Sequence, residues 1–308
     1  MKKSLFMLGL AVAAMTSCSN DELMEVNTNN VITFESHVNK GTRAVTNTTT
    51  DDLTKFYVFG SYSTTNVFEN VPVTKGGSGW TYDNPVPWTA NNYKFAAYAT
   101  TNTSIELAPT YAPVDGSLTF TGVTANDASD MVAAVATVDN TTLANNAVAL
   151  SFKHLLSKVK FTLTNGASQA YTMKVTNITF NAYTTGNCKF NGTATWSDQS
   201  ASDDIVFTKK VGQSDEIAQG AVFESEDHIV IPGQGLGTIA ASFTATFWNG
   251  SKLIDTKEYT SVPLALTSGT WQPGYVYNYT ATVTPKEPTI QFTVTVEDWK
   301  PETVNKTL

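Results

Sequence analysis

Thr289-Ile290-Gln291-Phe292-Thr293-Val294-Thr295-Val296-Glu297-Asp298-Trp299 alternates apolar and polar side chains without a break from Ile290 to Val296. Successive side chains of a strand point to opposite faces, so a period of two marks a half-buried strand; an amphipathic helix repeats its apolar residues every three or four positions. Pro285 and Pro288 set this strand apart from the one before it, because proline has no N–H to continue a ladder. The same spacing occurs near the other end of the chain. In Val31-Ile32-Thr33-Phe34-Glu35-Ser36-His37-Val38, Ile32, Phe34 and Val38 share one face with Ser36, a weak inward position.

Between these ends the chain reads as short strands punctuated by turn signals. Phe56 to Tyr62, Tyr93 to Ala99, Ser117 to Gly122 and Met131 to Val138 form a first series, with Lys75-Gly76-Gly77-Ser78-Gly79 and Asp115-Gly116 as turns. A second series starts with Phe152 to Leu163 and continues through Met173 to Asn181, Asp227 to Pro232, Ile239 to Trp248 and Tyr275 to Thr284. Only 15% of residues are charged, while Thr, Asn, Ser, Val and Ala abound, which favours strands and polar turns over helix. The expected fold is an all-β sandwich architecture, with the first unit giving way to the second near residue 149.

The ends also carry information. Lys2 and Lys3 precede an apolar run from Leu5 to Met15, too short to span a bilayer, for which roughly 20 residues are needed. Residues 1–17 therefore read as a signal peptide, and Met15-Thr16-Ser17-Cys18 looks like a lipobox, whose cysteine is lipidated and becomes the mature N-terminus. Ser19-Asn20-Asp21-Glu22 resembles the acidic tether of lipoproteins displayed on the outer membrane of Bacteroides-type bacteria. With Cys18 assigned to lipid, Cys188 has no partner for a disulfide, so stability must come from packing. The formal charge of −8 excludes nucleic acid as a natural partner, since the phosphate backbone needs cations.

Candidate chemistry is sparse. His37, His154 and His228 are far apart in sequence, and no zinc-protease, paired-cysteine, nucleophile-elbow, P-loop or dinucleotide motif occurs. No cofactor or metal is expected. The adjacent acids Asp51-Asp52, Asp203-Asp204 and Asp215-Glu216 read as solvated surface charge, and His154, between Phe152 and Leu155, as a packed, hydrogen-bonded histidine. Trp80, Tyr82, Trp88 and Tyr93 suit either core packing or stacking on a sugar.

The order of several segments resembles the fimbrillins, the subunits of type V pili. These are the lipobox at Cys18, Gly41-Thr42-Arg43-Ala44 behind a first strand, Phe152-x-His154-Leu155-Leu156-Ser157-Lys158-Val159, Trp271-x-Pro273-Gly274-Tyr275-x-Tyr277, and Ile290-x-Phe292-x-Val294-x-Val296-x-Asp298-Trp299. The resemblance implies two tandem transthyretin-like, Greek-key β-sandwiches: a propeptide over 18–43, an N-terminal sandwich over 44–148, and a C-terminal sandwich over 149–308 with a donor strand at 289–299. It implies that a trypsin-like, arginine-specific protease cuts between Arg43 and Ala44 and removes the strand bearing Ile32, Phe34 and Val38. A neighbouring subunit's Ile290, Phe292, Val294 and Val296 then fill the groove. The implied partners are other fimbrillin subunits, the outer membrane through the lipid anchor of the precursor, and a host glycan or protein; the implied location is the cell surface. A pilus tip adhesin and a monomeric glycan-binding lipoprotein are the alternatives, and a hydrolase on the same scaffold is a third.

Overall fold

The computed structural model describes residues 30–38, 53–77, 79–100, 107–125, 127, 130–234, 239–264 and 269–299. Over these the chain is all-β. In chain order the strands are β1 (Phe34–Val38), β2 (Lys55–Tyr62), β3 (Thr65–Gly76), β4 (Gly79–Thr81), β5 (Asn92–Thr100), β6 (Thr110–Ala112), β7 (Ser117–Thr124), β8 (Met131–Asp139) and β9 (Val148–His154). The second half supplies β10 (Ser157–Asn165), β11 (Thr172–Phe190), β12 (Ala194–Phe207), β13 (Val222–Glu224), β14 (His228–Val230), β15 (Ala240–Asn249), β16 (Lys252–Pro263), β17 (Tyr275–Val283) and β18 (Thr293–Asp298).

Three sheets result. The first runs β1-β9-β8-β5-β2-β3-β4 and curls until its edge strands β1 and β4 touch. The second runs β13-β10-β17-β18, with β14 also on β10, and the third runs β16-β15-β11-β7-β6, with β12 on β11. The period of two is visible in the burial: every second residue of β9, β10 and β15 is buried. Strand β5 differs, being covered on both faces. Tyr93, Phe95, Ala97 and Ala99 enter the core inside the curl, while Ala96 and Tyr98 face a second cluster with Leu118, Phe120, Cys188 and Phe190. A third cluster, around Phe161, Phe180, Phe243 and Tyr279, lies between the second and third sheets.

The passage between the two series lies later than the alternation suggests. Phe152 to Leu163 is expected as one strand, but β9 pairs with β1 and β8 in the first sheet, and β10 pairs with β17 in the second. The chain changes sheets at Leu155-Leu156, both fully buried, so the first sheet takes in residues beyond 149. The apolar pattern runs through the break because both sides of it are core.

The two units also share a strand. The first part of β11 pairs with β15 and its last part, Thr185–Phe190, pairs with β7. Irregularities between Thr176 and Thr179 and between Thr185 and Asn187 bend it from one unit to the other; at the first, Asn177 has φ of 57°, a left-handed conformation that Asn tolerates better than most residues. The units are tied again by Asp127, while Asp130 braces β8 to β9 within the first sheet; both lie just ahead of β8. Asp130 Oδ2 lies 2.5 Å from His154 Nδ1 at the end of β9. Asp127 Oδ2 lies 2.5 Å from His228 Nδ1, and the Ile229 amide donates to Asp127 Oδ1 at 2.6 Å.

Burial alone would push the Asp127 carboxyl up, but hydrogen bonds from His228 and the Ile229 amide, with nearby Lys158, outweigh it and hold the group below its ordinary range. A carboxyl held low stabilises the fold above its unfolded pKa of about 4 and loses that contribution as pH falls through the lower folded value. Asp127 is half exposed, so screening limits the contribution to about 0.5 kcal/mol. Asp127→Asn is expected to lower the melting temperature at pH 7 by about 1–2 °C and to leave it unchanged near pH 2, measured by circular dichroism at both pH values.

Candidate functional site

Strand β1 forms an edge of the first sheet, parallel to β9, with Phe34 opposite Val148 and Val38 opposite Phe152. The chain ahead of it is stitched to the segment 82–88: the Ile32 amide donates to Val86 O at 2.9 Å, the Trp88 amide to Asn30 O at 2.7 Å, and the Tyr82 hydroxyl to Ile32 O at 2.8 Å. Ile32 is fully buried and Phe34 is 5% exposed. The Phe34 ring stands edge-on to Phe56, Phe68, Tyr82 and Phe95 at centroid distances of 5.4 to 6.1 Å, a favoured aromatic arrangement. Gly60 permits this crowding: a Cβ there would stand 2.8 Å from the Phe95 ring and 2.9 Å from Phe68. Ser36 is also inward, and its Oγ is buried with no hydrogen-bond partner.

At the other end, β18 pairs antiparallel with β17 from Thr293 to Asp298 and is the last strand of its sheet. The ladder is shorter than the expected 289–299. Ile290 and Phe292 lie ahead of it, half-buried against the second unit's core, where the Phe292 ring is 5.4 Å from Phe161 and 6.2 Å from Tyr279. Insertion among these rings takes Phe292 off the sheet edge that its alternation predicts. Within the ladder Val294 is half-buried and Val296 is 46% exposed. All four apolar positions of this segment are therefore incompletely buried, whereas Ile32 and Phe34 are covered.

The strand ends at Trp299, which is 4% exposed. Its amide donates to Gly274 O at 2.8 Å, and the Gly274 amide donates in turn to Leu156 O at 2.8 Å. Gly274 has φ of 81°, the left-handed region where glycine carries no Cβ penalty. The surrounding corner is rigid: Trp271 Nε1 donates to the Tyr279 hydroxyl at 3.0 Å, the Gln272 amide donates to the Tyr277 hydroxyl at 2.6 Å, and Ser157 Oγ donates to Gln272 O at 2.6 Å. The Trp299 ring stacks on His154 with centroids 4.5 Å apart and planes 5° from parallel, and Lys158 Nζ lies over it at 4.7 Å.

Other candidates resolve into packing or surface charge. Trp88 and Tyr93 are buried, and Trp80 packs on Phe56 at 4.8 Å, so this aromatic cluster serves the core rather than a sugar platform. Asp215 pairs with Lys209 and Glu216 with Lys174, all at the surface, and Asp203 and Asp204 are exposed on β12. Burial pushes the Cys188 thiol up to about 12, which leaves no thiolate at neutral pH. Among the described residues no group of three His, Cys, Asp or Glu side chains is placed to hold a metal ion. Cys18, Arg43, Ala44 and Asp51-Asp52 lie outside the described residues, as do the side chains of His37 and Val38.

A sequence profile described as fimbrillin-like matches residues 42–299. The chain belongs to the fimbrillin-like family. No curated protein matches it in a sequence comparison. Among solved structures it is similar to a fimbrial protein from Bacteroides vulgatus, with 16% identity, 88% of this chain and 100% of that one covered, and a TM-score of 0.64. It is also similar to a candidate cell adhesion protein from Bacteroides uniformis, with 20% identity, 88% and 99% covered and a TM-score of 0.51. A candidate cell adhesion protein from Parabacteroides distasonis has 10% identity, 88% and 97% covered and a TM-score of 0.53. At these identities the likeness is one of fold. Within this fimbrillin-like chain, the Phe152–Val159 and Trp271–Tyr277 segments form one corner, and Trp299 closes it.

Phe34→Ala is expected to destabilise the full-length chain by about 3–5 kcal/mol, because the surrounding rings cannot collapse into the space. Ser36→Ala, which removes a buried hydroxyl without a partner, leaves stability unchanged or slightly higher. Urea titration of both variants checks the pair.

Proposed function

We propose that this fimbrillin-like chain is a structural subunit of a type V pilus, exported as a lipoprotein through Cys18, cut between Arg43 and Ala44, and polymerised by strand exchange. The observation that carries this reading is the contrast between the two edge strands. Loss of residues up to Arg43 strips β1 from β9, leaving unpaired backbone along Val148–Phe152 and a pocket lined by Phe56, Phe68, Tyr82 and Phe95. An uncovered edge of this kind seeks another strand. Strand addition supplies main-chain hydrogen bonds, and alternating side chains set the register.

Residues 289–299 of a second subunit have the matching period. In the register of the two apolar patterns, Ile290 replaces Ile32, Phe292 replaces Phe34, Val294 replaces Ser36 and Val296 replaces Val38. Val294 puts a methyl-bearing side chain where Ser36 buries an unpaired hydroxyl, so the incoming strand packs better than the one removed. Burying four such side chains contributes on the order of 6–12 kcal/mol before ordering costs. The contact is heterologous and does not close, which gives a filament.

Arg43 is the only arginine in the chain, so an arginine-specific protease has a single place to act. Residues 1–43 carry Lys2, Lys3, Lys40 and Arg43 against Asp21, Glu22, Glu25 and Glu35, so the cut chain keeps the full negative charge of the precursor. The partners of this reading are other fimbrillin subunits, the processing protease, the outer membrane that holds the precursor, and a host glycan or protein reached at the cell surface. A second reading, a terminal subunit that keeps its own C-terminal strand, draws support from the buried Trp299.

Digestion of the purified Cys18→Ser precursor with an arginine-specific protease tests both. The expected result is one fragment beginning at Ala44, followed by filaments in electron micrographs; Arg43→Lys blocks the cut. Phe292→Ala slows assembly at least about tenfold, equivalent to about 1.4 kcal/mol. Resistance at Arg43 overturns the processing step, and a clean cut that leaves only monomers selects the terminal subunit.

A further inference from the structure

The buried His154–Asp130 pair takes no part in packing β1 or in the strand-exchange register, yet it is where the C-terminal strand ends. The body of that strand belongs to the second unit: Ile290, Phe292 and Val294 pack on the cluster around Phe161 and Tyr279. Trp299 belongs elsewhere. It joins the cluster between the units, with Tyr98, Met131 and Ala133 from the first sheet, Leu155 and Leu156 at the sheet change, and Ile229 from β14.

We propose that Trp299, stacked on His154, is a latch that retains the C-terminal strand on its own subunit, and that opening this stack regulates donation of the strand. The proposal rests on the strand-exchange reading and names what controls it. Three features of the site argue for a latch rather than an ordinary core residue. The ladder that Trp299 ends is lightly covered, with Val296 46% exposed and, among the described residues, β17 as its one paired strand, and Trp299 is the one buried side chain of 293–299. The ring's partners are preset without it: Asp130 holds the imidazole through Nδ1 at 2.5 Å, Nε2 is buried without a hydrogen-bond partner, and the ring face is left for stacking. Lys158, 3.9 Å from Asp227 Oδ2, supplies the cation over the indole, a geometry that adds to stacking.

The position of His154 links the latch to the other end of the exchange. It lies two residues beyond Phe152, the last residue of β9 paired with β1. The strand that loses β1 on cleavage is therefore the strand whose end grips Trp299, so one strand carries both the segment to be removed and the residue that retains the segment to be donated.

Hydrogen exchange read by mass spectrometry on the uncut full-length chain tests the latch directly. In Trp299→Ala the amides of residues 293–298 are expected to exchange roughly tenfold faster or more, while those of β10, and of Thr282 and Val283 at the far end of β17, keep their wild-type rates. Trp299→Phe, which retains a ring to stack, restores most of the protection. After cleavage at Arg43, Trp299→Ala assembles faster than wild type. Should Trp299→Ala not fold, Lys158→Gln, which removes only the cation, is read the same way with an increase of about threefold. Unchanged exchange in 293–298, or faster exchange with assembly unchanged or slower, overturns the latch. Failure of the cut wild-type chain to assemble at all sinks the strand-exchange reading instead, and faster exchange in uncut Trp299→Ala then leaves Trp299 as an anchor without a part in donation.

Discussion

A sheet that ends on an unpaired edge exposes a row of backbone donors and acceptors, and the first sheet of this protein meets that constraint with a short segment that arrives before the rest of the unit in sequence. β1 runs parallel to β9 and its leading residues bond across to 82–88, so one short segment closes the curl from both sides. Phe34 makes the closure more than a matter of hydrogen bonds, because four aromatic rings converge on it. The inner core is complete only while this segment is in place.

The C-terminal strand answers the same constraint less fully. It pairs along one edge of β17, its apolar residues remain half-covered, and its end is fastened by a ring as well as by its ladder. A well-buried first strand and a loosely buried last strand give two unequal solutions to edge pairing within one chain. For the strand exchange proposed above, that inequality sets the direction: a last strand moved into the place of the first gains apolar burial that it lacks at home.

The C-terminal strand ends at a corner where the two units meet. The Leu155-Leu156 step between β9 and β10, the Trp271–Tyr277 turn and Trp299 are joined by the Gly274 amide and carbonyl, while Asp127 and Asp130 tie the same region to β8 and β14. Strand β11, shared by the two units, keeps them from behaving as independent beads. Asp127, His228 and the Ile229 amide satisfy one another at this junction, while His154 Nε2 stays buried without a hydrogen-bond partner.

Much of this was legible in the sequence because a period of two is imposed by strand geometry itself and survives any arrangement of the strands. The all-β class, the inward face of Ile32, Phe34 and Ser36, and the packed state of His154 follow from local pattern and composition. Long-range pairing leaves no such local mark. Nothing in Phe152–Leu163 shows that its two halves join different sheets, since the apolar side chains are core on both sides of Leu155-Leu156. Nor does the alternation of Ile290 to Val296 show that Phe292 leaves the ladder for the rings of the second unit, or that Trp299 enters the cluster between the two units. Local pattern dictates which faces must be buried. What buries them is a property of the assembled fold, because the neighbours come together from more than a hundred residues apart, as Trp299 and His154 do.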